Sequence, residues 1–104
     1  YVIEHFVPYQ FVAHDLMWNL IPADSSFNSK KSDKLPNFDL YFNSFFEIQK
    51  IGVDIIKSNT PQNSFLEDYL PIFPDLNVNK DKFEEHIKPM LSVAHNNGFQ
   101  YLQP

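Results

Sequence analysis

Prolines cut the first third of this chain into pieces short enough for only a small, irregular unit, whereas the remainder carries apolar residues at helical spacing. Tyr1-Val2-Ile3 is a β-prone run that ends at Glu4-His5, with Phe6-Val7 continuing it and Pro8 interrupting the ladder. Residues 9–15 read as a turn of helix or an irregular loop. Met17-Trp18-Asn19-Leu20-Ile21 is a second β-prone run, stopped by Pro22. Asp24 or Ser25 then suits the N-cap of a short helix through about Lys31, ending before Leu35-Pro36. Strand, loop, strand and short helix make a compact ββα unit over residues 1–36.

From Phe38 the pattern changes. Apolar side chains at 38, 41, 42, 45, 48, 55 and 56 predict a helix with one buried face, interrupted by Gly52 and stopped at Asn59-Thr60-Pro61. A short helix is expected around residues 64–70, and a loop with Pro71 and Pro74 follows. Asp81 with Glu84 reads as a capping box. Phe83, Ile87, Met90, Leu91 and Ala94 form a helical stripe, with Pro89 predicted to kink or split that helix and Asn97-Gly98 to end it. The fold class expected is α+β: a small ββα unit, then a mostly helical extension over 37–104 packed on it as one domain.

Composition narrows the function. With 43% hydrophobic residues in 104, the chain can build a core. No apolar run approaches the ~20 residues of a membrane span, so no membrane partner is expected. The absence of cysteine excludes disulfides and Cys-based zinc sites, and fits a cytoplasmic protein. Because the chain opens on Tyr1 directly in an apolar run, it reads as a fragment of a longer protein, with an upstream domain as a partner in the same chain. Thirteen acids against eight lysines, with no arginine, give a formal charge of −5. That argues against a non-specific nucleic-acid binder, whose affinity comes from neutralising phosphates. The charge is uneven: residues 1–36 hold four acids and three lysines, residues 37–104 nine acids and five lysines. Any phosphate contact therefore belongs to the first third.

The chemistry-bearing residues lie there too. His5-Phe6-Val7-Pro8, Trp18-Asn19-Leu20-Ile21-Pro22 and Phe27-Asn28-Ser29-Lys30-Lys31-Ser32-Asp33-Lys34-Leu35-Pro36 follow one another with His5, Asn19 and Asn28 at intervals of fourteen and nine residues. A histidine titrating near neutral pH suits deprotonation of water. The side-chain oxygens of Glu4 and Asn28 are hard donors for Mg²⁺ or Mn²⁺. Asn28 and Lys31 at i, i+3 can place a metal ligand beside an ammonium on one helical face. This order of residues resembles the HNH endonuclease family and its ββα-metal motif, and is similar to the HNH nuclease domain of RNA-guided CRISPR effectors. The resemblance covers residues 1–36. It implies a metal-dependent endonuclease hydrolysing DNA, with His5 as general base, Asn19 clamping the loop that orients it, and Glu4 and Asn28 holding Mg²⁺ or Mn²⁺, with Zn²⁺ as a further candidate. Lys30, Lys31 and Lys34 would meet the nucleic acid. Glu4 stands where the family usually has Asp.

Each residue alone has a plainer reading: a structural histidine, a solvated edge charge at Glu4, turn amides, a solvated lysine face. His14-Asp15 is read as a loop or helix-cap pair rather than as a second acid/base pair. His86 and His95 are read as structural or surface residues, Trp18 as core. Two other functions compete with the nuclease: a degenerate HNH module that binds nucleic acid or a protein partner without cutting, and a structural interaction domain whose acidic helices dock a partner.

Overall fold

The computed structural model describes residues 2–24, 31 and 33–102. It shows an α+β fold: a two-stranded antiparallel sheet at the start of the chain, followed by helices. Strand β1 (Val2–His5) pairs with β2 (Leu20–Ala23) in the register Val2↔Ala23, Ile3↔Pro22, Glu4↔Ile21 and His5↔Leu20. Pro22 therefore lies within a strand rather than stopping one. In a two-stranded sheet every strand has an open edge, and there a missing N–H costs no ladder bond. Between the strands run a single helical turn, α1 (Tyr9–Val12), and a 3-10 turn over Met17–Asn19. The second β-prone run thus begins as a 3-10 turn and becomes strand only at Leu20. The distant Asp68 carboxylate accepts from the Met17 N–H at 2.9 Å and holds that turn. The short helix expected from Asp24 or Ser25 to about Lys31 falls largely outside the described residues.

Two long helices complete the fold. Helix α2 (Phe38–Asn59) is capped by Asn37, whose side chain accepts from the Leu40 N–H. Helix α3 (Lys80–Asn96) is capped by Asn79, accepting from the Lys82 N–H, so the expected capping box at Asp81 and Glu84 starts two residues too late. Pro89 lies inside α3, which continues through it as one element. Gly98, at φ 103°, follows its end in the left-handed region that glycine adopts without strain. Residues 64–69 form a 3-10 helix. Among the described residues no helix is long and apolar enough to cross a membrane.

The buried face of α2 differs from the predicted stripe. Phe42, Phe45, Phe46, Gln49 and Val53 are buried, whereas Ile48 and Ile55 are exposed. The aromatic residues set this rotation. Phe45 packs on Phe83 of α3 at 5.2 Å between ring centroids, and Phe83 in turn on Phe73. Gln49 is tolerated inside because its amide donates to the Leu20 carbonyl at 2.6 Å and accepts from the Tyr69 hydroxyl. Burial pushes the Tyr69 phenol up to about 12. The unit at the chain start is fastened to this core by Phe6, which stacks on Phe45 with ring centroids 4.1 Å apart. Leu35 bridges to Tyr101 and trades main-chain hydrogen bonds with Gln100 and Leu102.

Candidate active site

Strand β1 alternates in the reverse of the usual sense: Ile3 is 65% exposed while Glu4, its neighbour, is 6% exposed. A strand that turns a carboxylate inward and an isoleucine outward gives up apolar burial and desolvates a charge, a local inconsistency of the kind that marks functional sites. Glu4 Oε1 accepts from the His5 N–H at 2.8 Å and lies 3.7 Å from the Lys31 ammonium. Glu4 Oε2 is buried and has no hydrogen-bond partner among the described residues. Glu4 and Lys31 line one cavity of about 240 Å³, together with Phe6, Ile21 and Pro22.

After His5 the backbone leaves the sheet, and its polar groups need partners outside the ladder. They find them in two buried side chains. Asn19, fully buried, accepts from the Val7 N–H and donates to the Val7 carbonyl, both at 2.8 Å, while its own carbonyl accepts from the Phe6 N–H at 2.9 Å. The amide of Asn19 thus clamps the loop after His5. Lys31 donates from Nζ to the His5 carbonyl at 2.8 Å. At 1% exposure its ammonium is turned inward, so it is not part of the exposed lysine patch expected from Lys30, Lys31 and Lys34. Burial pushes the Lys31 ammonium down from its usual value, and the Glu4 charge opposes that shift. Lys34 is half-buried; Lys30 and Asn28 lie outside the described residues.

The His5 ring is fixed by a residue that sequence reasoning passed over. His5 Nε2 lies 2.7 Å from Asp15 Oδ1, and Tyr9 packs edge-on against the imidazole at 5.4 Å. Asp15 reaches His5 because α1 ends at Ala13, whose φ of 57° reverses the chain into the left-handed region. The His14-Asp15 pair is therefore more than a loop or cap element: Asp15 serves the ring of His5, while His14 Nδ1 accepts from the Leu16 N–H and its ring packs against Trp18. An ionised carboxylate only accepts, so in the neutral imidazole Nε2 carries the proton shared with Asp15, and Nδ1 keeps its lone pair. The sequence signal available was the pairing of a histidine with an acid ten positions on, across a loop short enough to fold back.

Among the described residues no group of three or more His, Asp or Glu side chains is placed to hold a metal ion. The unpartnered, inward-facing Glu4 Oε2 nevertheless fits a hard divalent cation, which takes oxygen donors and retains water in its remaining positions. His86 also has a buried ring nitrogen without a partner among the described residues, but it packs edge-on against Trp18 at 4.7 Å, in the structural role expected.

No curated protein and no solved structure matches the chain. One family model does: residues 1–37, the stretch that carries Glu4, His5, Asp15, Asn19 and Lys31, match the HNH endonuclease family, which supports a nuclease-type function for it.

Proposed function

We propose that the site around His5 belongs to a metal-dependent endonuclease that hydrolyses phosphodiester bonds in DNA. The observation that carries this reading is the Asp15–His5 pair, 2.7 Å apart, directly following a buried carboxylate with one unengaged oxygen, within the stretch similar to HNH endonucleases. His5 Nδ1 takes the proton of the attacking water. Asp15 holds the ring at Nε2 and balances the imidazolium that then forms. Asn19 keeps the His5–Val7 main chain in place. Glu4 Oε2 is the donor offered to Mg²⁺ or Mn²⁺, with Asn28 as the second protein ligand. Bound there, the cation would supply Lewis-acid stabilisation of charge developing on the phosphate. Lys34 and Lys30 are the candidates for contact with the DNA backbone.

The experiment is nicking of supercoiled plasmid with Mg²⁺ or Mn²⁺, with and without EDTA, by the wild type and by Glu4→Gln. Cleavage that EDTA and Glu4→Gln both abolish supports the reading. Salt-sensitive DNA binding without metal-dependent cleavage would replace it with the binding-only module, and neither binding nor cleavage would leave an interaction domain.

A further inference from the structure

Lysines next to nuclease sites ordinarily meet phosphate, and an ammonium that does so needs access to solvent and free donors. Lys31 lacks the first and has turned its ammonium to the protein's own groups. It is 1% exposed, it donates to the His5 carbonyl at 2.8 Å, and it lies 3.7 Å from Glu4 Oε1. The same Oε1 accepts from the His5 N–H at 2.8 Å. The peptide groups on both sides of His5 are therefore held, one by Glu4 and one by Lys31, and the ammonium links the two holds. Only Oε2 of Glu4 is left without a partner among the described residues, and Glu4 lines the cavity beside Lys31. Lys31 is itself anchored by its main-chain carbonyl, which accepts from the Lys34 N–H at 2.7 Å.

We propose that Lys31 is a positioning residue: its buried ammonium ties the His5 main chain to Glu4, so that the base and the carboxylate keep one mutual geometry and Glu4 presents Oε2 alone. This rests on the nuclease reading for its effect on rate, but the tether itself is read independently of activity. The arrangement explains why a lysine occupies a buried position at all. A neutral side chain could satisfy the His5 carbonyl, but a cation also attracts the Glu4 carboxylate by its charge, across the 3.7 Å to Oε1. A base and a metal-binding carboxylate on adjacent residues gain from such a brace, because displacing reacting groups by about 1 Å can cost roughly 10²-fold in rate.

The test has two arms. In the wild-type protein, ¹⁵N-lysine NMR should show one slowly exchanging ammonium, assigned to Lys31, coupled to the His5 carbonyl and unmoved when DNA is added to protein already saturated with Ca²⁺. In the second arm, Lys31→Gln and Lys31→Arg are compared by single-turnover cleavage and by DNA binding across salt. Lys31→Gln should lower the rate constant by about 10²-fold while DNA affinity stays within twofold and its salt dependence is unchanged; Lys31→Arg should restore part of the rate. Arg can still reach a carbonyl and a carboxylate together. Should Lys31→Gln fail to fold, the wild-type NMR arm decides. A fast-exchanging Lys31 ammonium that shifts on adding DNA would overturn the proposal, as would a variant that loses DNA affinity and about one unit of salt slope at unchanged rate. A wild type that never cuts DNA, yet keeps the slowly exchanging ammonium, would refute the nuclease reading and leave the tether standing.

Discussion

His5 is held at its main chain by Glu4 and Lys31 and at its ring by Asp15, and the three holds differ in what they protect. The main-chain bonds come from buried side chains, whereas the Asp15 side chain is 72% exposed. A contact so open to water adds little to stability. Its value lies in direction: it fixes which nitrogen carries the proton. Asp15→Asn should therefore leave the melting temperature within a degree or two and still slow single-turnover cleavage by roughly tenfold or more, short of the ~10²–10⁴-fold that general-base catalysis supplies. Asp15→Asn cleaving at the wild-type rate would show that the ring needs no partner at Nε2.

At the scale of elements, the loop between the strands and helix α2 make separate predictions. Asn19→Ala removes two side-chain hydrogen bonds from one turn and strands the Val7 N–H and carbonyl in the interior. Chemical denaturation should show a loss of roughly 1–3 kcal/mol, and activity should fall with it. Gly52 is the opposite case. It lies within α2, and a Cβ added there meets nothing within 4 Å. Gly52→Ala should stabilise the protein by about 0.5–1 kcal/mol, read as a higher denaturation midpoint; a lower midpoint would contradict the open space at this position. These elements also show what the sequence could reveal. The Asn19 clamp was implied only by the family resemblance, whereas the helical stretches and the stops at Thr60 and Gly98 follow from local spacing and residue chemistry. The face of α2 did not, because its rotation is set by Phe45 meeting Phe83 and by a buried Gln49 with partners at Leu20 and Tyr69. Lys31 and Asp15 were misjudged for the same reason. A lysine in a charged cluster reads as solvated, and an acid after a histidine reads as a cap, until the fold shows what each one touches.

For the whole molecule, acid is the weak side. Burial, with His14 as a lesser cause, holds the His86 imidazole below its usual value of 6.5. The unfolded chain binds that proton near pH 6.5 and the folded protein only at lower pH, so the unfolded state takes up more protons in between. The stability contributed by His86 is complete above about pH 6.5 and is lost as pH falls below it. The melting temperature of the wild type should drop between pH 7.5 and 5 by more than that of His86→Ala; equal drops would place the acid sensitivity elsewhere. The central claim concerns His5, which Glu4, Lys31 and Asp15 contact and whose following loop Asn19 holds. Its most direct test is single-turnover cleavage of plasmid at saturating Mn²⁺ by the wild type and by His5→Ala, with folding checked by circular dichroism. His5→Ala should lose ~10²–10⁴-fold in rate while remaining folded and binding DNA; a folded His5→Ala protein that cuts within about threefold of the wild type would contradict the account.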